Sequence, residues 1–313
     1  MAARQGKVTG FRVAVILGAA LLLVTTLAGC GLFGGDRPRT VVDSAGREVT
    51  LERSPERIVS MAPSNTEILF ALGLGDRVVG VTNFCNYPPE AADIEKVGDS
   101  WAPDYEKIVA LEPDLVLAVG TAESQIVKDL ESYGLKVFVV EAETVDEVAD
   151  NVELVGRITG AVKEAEAVAG DIRSRIDAVR QKVARVTAQD RPSVFWVLDS
   201  MLWTVGPGSF VHDLITVAGG ENVAASSGQA YCQFSMESLL AADPDVIIMP
   251  IIDPAAADAL AANEGWESLT AVKEGRVHMI DPDIVSRPGP RIAEAIERVA
   301  AILYPEAGED SGD

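Results

Sequence analysis

Histidine is almost missing from this chain: His212 and His278 are its only two in 313 residues. That leaves too few imidazoles for a His-built metal site, so no bound metal is expected and a zinc or manganese carrier fits poorly. Cysteine is also scarce, with three residues, which excludes a disulfide-dense scaffold. Positive charge is outnumbered, 26 Lys and Arg against 48 Asp and Glu, and a formal charge of -22 would repel nucleic-acid phosphates. No apolar run reaches the roughly 20 residues of a transmembrane helix. Gly-x-Ser-x-Gly and Walker A motifs are absent, so nothing points to an enzyme. Aromatics make up 5%, and core packing is a fair reading of any single one.

What is present argues for a folded protein held outside the cytoplasm. With 48% apolar and 24% charged residues the chain can bury a sizeable core, and its length suits two or three domains of about 150 residues. Its beginning stands apart. Arg4, Lys7 and Arg12 are basic, no acid occurs before Asp36, and residues 13–24 are an unbroken apolar run, as in a secretory h-region. Leu27-Ala28-Gly29-Cys30 follows and resembles a bacterial lipobox, which implies removal of 1–29 and lipidation of Cys30. Several acyl chains anchor stably where one is marginal. Removing that leader takes away three positive charges and no negative ones. Residues 30–40 then read as a tether, and the tail at 306–313 as acidic and frayed.

Between tether and tail, short β-rich runs alternate with helical patterns, the mark of parallel α/β architecture. Strands are expected at 58–61, 78–81, 115–118, 137–140, 194–198, 246–249 and 277–280. Helices are expected at 66–72, 106–111, 124–133, 211–218, 236–241, 254–262 and 290–303. Residues 105–117 align without gaps to 236–248, keeping Glu, Ala, Pro and Asp identical and every strand position aliphatic. This repeat predicts two related lobes, at 41–144 and 191–305. Apolar residues at steps of three or four from Val145 to Val186 form one helical stripe across 145–190. Thr159-Gly160 divides it, leaving a second helix of about 28 residues, or roughly 42 Å. A rigid connector between lobes explains the stripe better than a coiled-coil dimer, so a monomer is expected.

These features together resemble the substrate-binding lipoproteins of ABC importers for corrinoids, iron-siderophores and haem, and most of all the cobalamin-binding type. The resemblance rests on Ser64-Asn65-Thr66-Glu67, the run from Val79 to Pro89, Glu106 to Asp114, Gly219 to Asn222, Gln233 to Glu237 and Arg287 to Ile292. It implies an α/β fold of two Rossmann-like lobes with mainly parallel sheets joined by one long helix, the class III periplasmic binding protein. It also implies no cofactor, a corrinoid as transported ligand, and the permease subunits of an importer as partner. An iron-siderophore or haem cargo is the alternative.

By position, the resemblance places ligand contacts at Phe84, Trp101, Trp203 and Tyr231 and at the loop Asp283, Ile284, Val285, Ser286 and Arg287. A corrin is bulky, ringed by amides and only weakly charged, so it suits aromatic faces with a few hydrogen-bonding groups. Arg287 can equally pair with Asp283 merely to hold its loop. Glu106 and Glu237, the paired acids of the repeat, correspond to the family's docking glutamates for the permease. Cys85 and Cys232 each follow one of the aromatics. Three readings stand open for them: unpaired thiols packed as small apolar groups, an interlobe disulfide, or thiolate ligation of a metal-bearing ligand.

Overall fold

The computed structural model describes residues 38–251 and 253–305; the leader, Cys30, most of the tether and the tail at 306–313 lie outside the described residues. The described chain opens with a hairpin, β1 (Arg39–Val42) paired antiparallel with β2 (Glu48–Leu51). Arg39 and Thr40, assigned to the tether, are therefore strand. The β-branched run Thr40-Val41-Val42 finds a partner strand, with the Thr40 and Thr50 hydroxyls 2.8 Å apart. Asp43 shapes the turn by accepting from the amides of Ala45 and Arg47.

The first lobe then runs β3 (Ile58–Ser60), α1 (Pro63–Ala71), β4 (Val78–Val81), α2 (Tyr105–Ala110), β5 (Leu115–Ala118), α3 (Gln125–Ser132) and β6 (Val137–Val139). Its four strands are parallel in the order β4-β3-β5-β6. Side chains alternate between two cores: Ile58, Leu115, Leu117 and Phe138 enter one, and Val59, Val116, Val137 and Val139 the other. A sheet covered on both faces needs such continuous apolar runs.

The connector is α4 (Val145–Thr159) followed by α5 (Val162–Val183). Thr144 and Glu147 form a capping box that starts α4, and Gly160, at φ 87°, ends it in the left-handed conformation. The chain then folds back. Arg173 of α5 bonds Asp150 and Glu153 of α4, and Arg180 reaches Asp146, so the two helices lie antiparallel. Gly156 permits the close approach, since a Cβ there would sit 2.3 Å from that of Ala165. The expected single stripe is thus a helical hairpin, and α5 has 22 residues rather than 28, about 33 Å.

The second lobe comprises β7 (Ser193–Trp196), β8 (Trp203–Val205), α6 (Phe210–Val217), β9 (Glu221–Asn222), β10 (Tyr231–Gln233), α7 (Met236–Ala242), β11 (Val246–Met249), α8 (Pro254–Ala261), α9 (Thr270–Lys273), β12 (Val277–Met279), α10 (Pro282–Val285) and α11 (Ile292–Leu303). Its main sheet is parallel in the order β12-β11-β7-β9, while β8 and β10 form a separate antiparallel pair. Counted along each lobe's own chain, both main sheets read second-first-third-fourth.

The sequence repeat falls on equivalent structure, α2–β5 in one lobe and α7–β11 in the other. Asp104 and Ser235 cap the two helices by accepting from the amides of Lys107 and Ser238. Glu112 and Asp243 follow the helices at φ 46° and 38°, a left-handed turn that stops each before its Pro-Asp. The repeated Asp then staples two strands together. Asp114 accepts from the amides of Glu56 and Arg57 just before β3, and Asp245 accepts from the amide and hydroxyl of Ser193 at the start of β7.

One apolar core is shared by both lobes and the connector among the described residues. It takes Ile58 and Leu117 from the first sheet, Val152 and Ile172 from the hairpin, Trp196 and Ile248 from the second sheet, and Ile296 from α11. Arg175 of α5 fastens α11 through Glu297 at 2.6 and 2.9 Å. Among the described residues no helix is long and apolar enough to cross a membrane.

Candidate functional site

Four aromatic side chains expected at a ligand site remain exposed, two from each lobe. In the first lobe Phe84 and Trp101 lie with ring centroids 5.2 Å apart and planes tilted by 36°. Their loops follow β4 and hold one another: Asn83 donates from its amide to the Gly98 carbonyl and from its side chain to Asp99. Gly98, at φ 88°, is required there, because a Cβ would come within 2.5 Å of the Ala102 carbonyl oxygen.

In the second lobe Gln233 pairs with Trp203 and Tyr231 with Val205, so Trp203 and Tyr231 fall on one face of the ribbon. The loop before Trp203 adds features the sequence reading missed. Leu202 has φ 63°, an uncommon conformation for a bulky residue, and its side chain is buried while Met201 and Trp203 beside it are exposed. Asp199 accepts from the amides of Met201 and Trp203, and Gln233 donates to the Met201 carbonyl, which fixes the loop. The left-handed turn at Leu202 therefore buries its own side chain and leaves Met201 and Trp203 on either side of it exposed, a backbone property that no sequence motif signals.

The loop after β12 differs from expectation. Ile284 and Val285 are buried in the common core as the apolar side of α10, so they do not line an open surface; Ser286 is exposed. Arg287 has a side chain only 10% exposed, and its guanidinium is taken up by the protein. It donates to Glu67 at 3.2 Å, to the Asn86 side chain at 2.8 Å and to the Phe84 carbonyl at 3.2 Å, and it pairs with Asp283. Asp283 also accepts from Asn86 at 2.7 Å. Arg287 and Asp283, expected as edge contacts for a ligand, instead tie the second lobe to the Phe84 loop of the first.

Glu67, on α1 and with a side chain 2% exposed, is the hub of this clasp. Arg291 meets it in a bidentate pair, Nε to Oε2 at 2.9 Å and Nη2 to Oε1 at 2.6 Å, and lies over the Tyr87 ring at 4.1 Å. Burial works against the charged form of Arg291, yet the bonds to Glu67 hold its pKa above the ordinary value. In the sequence Glu67 and Arg291 stand only within the short motifs 64–67 and 287–292. Their pairing spans more than 220 residues, and no local pattern marks it.

Both thiols are free. Cys85 is buried, with Sγ 3.1 Å from each of the Thr66 and Thr82 hydroxyls, and Cys232 alternates to the face of β10 opposite Tyr231. The interlobe disulfide is not formed, because Cys85 turns into the core of its own lobe. Glu106 and Glu237 are exposed in the first turns of α2 and α7, and neither makes a hydrogen bond or ion pair among the described residues. Because Asp104 and Ser235 supply the caps, the two glutamates are not occupied in capping. No group of three or more His, Cys, Asp or Glu among the described residues could hold a metal ion.

A family model described as "Periplasmic binding protein" matches residues 58–284. A Bacillus subtilis protein named an uncharacterized ABC transporter substrate-binding lipoprotein, YvrC, is 35% identical over 308 residues, covering 93% of this chain and 97% of its own. Among solved structures, the periplasmic vitamin B12 binding protein BtuF of Vibrio cholerae superposes with a TM-score of 0.70 at 30% identity, covering 82% of this chain and 99% of that one. The periplasmic heme-binding protein RhuT from Roseiflexus sp. RS-1, in apo form, gives a TM-score of 0.72 at 27% identity, covering 80% and 98%.

Proposed function

The chain belongs to the periplasmic binding protein family, whose members are substrate-binding subunits of ABC transporters and not enzymes, and from that premise we propose that it captures cobalamin or a related corrinoid between its lobes. The observation that carries this reading is the pair of uncovered aromatic sets, Phe84 with Trp101 and Trp203 with Tyr231. Flat apolar faces from two lobes suit a broad macrocycle. The cations nearby are already spent: Arg287 and Arg291 are paired with Glu67 and Asp283. A strongly anionic siderophore, or the carboxylates of haem, would find no unpaired guanidinium in the clasp.

In this reading Cys30 carries the lipid that holds the protein at the outer side of a membrane. The protein acts as a monomer, and Glu106 and Glu237 meet basic residues of the importer's membrane subunits. Haem or an iron-siderophore remains the second reading, favoured by the likeness to a heme-binding protein. Fluorescence titration of the purified protein with a panel of corrinoids, ferric siderophores and haem tests the proposal. Saturable quenching by cobalamin well ahead of the other two classes is expected. Tight binding of haem or a ferric siderophore with none of any corrinoid would overturn it.

A further inference from the structure

The repeated helices α2 and α7 match in surface as well as in sequence. Ile108 and Leu239, at equivalent positions, are fully buried and anchor each helix to its lobe. On the outward side stand Glu106, Val109 and Ala110 in one lobe and Glu237, Leu240 and Ala241 in the other, all exposed. Val109 is 39% exposed and Leu240 38%. Residues spaced by three and four share a helix face, so each acid has an aliphatic side chain and an alanine beside it.

A single exposed aliphatic residue needs no explanation. Here two occur at equivalent places, each one turn after an acid that makes no bond within the described protein. The backbone frame is duplicated as well, through the caps Asp104 and Ser235, the left-handed Glu112 and Asp243, and the staples Asp114 and Asp245.

We propose that Val109 and Leu240 are apolar docking contacts, each completing with its neighbouring glutamate a two-point plug for a membrane partner built of two like halves. Each half offers a basic side chain to the acid and an apolar hollow to the aliphatic group, with Ala110 and Ala241 allowing close approach. Charge complementarity to the unpaired acids selects a basic partner surface, and the duplication of the plug selects a two-fold one. The inference rests on the reading of Glu106 and Glu237 as docking residues and adds the contact that supplies burial.

The test measures affinity of the full chain for the two-fold importer complex co-expressed with it and reconstituted in nanodiscs. Covering the exposed part of Val109 or Leu240 predicts roughly a tenfold loss for each residue replaced by Ser. Val109→Ser with Leu240→Ser is therefore expected to weaken docking about a hundredfold, with corrinoid titration unchanged. Undiminished docking by this variant, while Glu106→Ala with Glu237→Ala is impaired, overturns the inference and leaves the acidic docking reading standing. Undiminished docking by both variants overturns the two together. Photo-crosslinking from p-benzoylphenylalanine at 109 and at 240 gives an independent readout, and both positions are expected to label the permease subunits, identified by mass spectrometry. Failure of both to label them, with labelling from 106 and 237, again overturns the inference.

Discussion

Glu67 of the first lobe and Arg291 of the second form a bidentate ion pair, both bonds under 3 Å, with the carboxylate almost wholly removed from solvent. Arg287 adds a second guanidinium to the same carboxylate. Such a group contributes little net stability over apolar packing, but removing one member leaves buried charge uncompensated.

Glu67→Gln is expected to destabilise the protein by about 3 kcal/mol, since two buried guanidinium groups lose their shared counter-charge. Chemical denaturation with an unchanged m-value checks this. A loss below roughly 0.5 kcal/mol would mean that the clasp is not needed to hold the lobes.

Trp101→Ala and Trp203→Ala are each expected to weaken corrinoid binding roughly tenfold, since each removes one aromatic face. Trp101→Ala is not expected to lower the melting temperature measurably, because that side chain is 68% exposed, whereas Trp203, 37% exposed, is expected to cost some stability as well. A large stability loss with intact binding would return them to packing roles.

Glu141 carries a pH signature. Burial raises its pKa above the ordinary value; the Gly120 amide, donating at 2.7 Å, pulls the other way, and Glu143 pushes further up. A raised carboxyl pKa contributes stability when the group is protonated, and that stability is lost as pH rises through the folded-state pKa. Glu141→Gln is therefore expected to raise the melting temperature at neutral pH by a few degrees at most, with the gain vanishing below about pH 4.5. A gain independent of pH would assign the effect to something other than charge.

Thiol labelling of native protein is expected to modify Cys232 first and Cys85 only on unfolding, since Cys85 is buried and Cys232 partly exposed. Intact mass after brief alkylation reads this directly. Equal rates at the two residues would contradict the packing of Cys85 between Thr66 and Thr82.

The lobes were legible in the sequence because their strands are short apolar runs closed by turn residues, and 78–81, 115–118 and 246–249 match the observed β4, β5 and β11. The hairpin was not, because steps of three and four register a helical face and not its direction. Nothing but Gly160 marks the reversal of the chain. Trp203 and Tyr231 stand out in the sequence as aromatics, but the three-residue strands that hold them are too short for periodicity to show. The clasp made by the loop at 283–287 has no local signature, because its partners, Glu67 and Asn86, lie some 200 residues away.

The apolar core that runs from Ile58 through the hairpin to Ile296 sets an order on how the protein is made. The last helix belongs to the same core as the first strand of the main sheet, so one face of the amino-terminal sheet stays unfinished while the carboxyl end is still being synthesised or exported, whereas its other face closes over Ile108 and Leu130 of the lobe itself. A chain cut before α11 would leave Val152, Ile172 and their neighbours facing water, and stalled export intermediates are thus expected to be prey for proteases. The same continuity predicts that the two lobes melt together, as one cooperative unit.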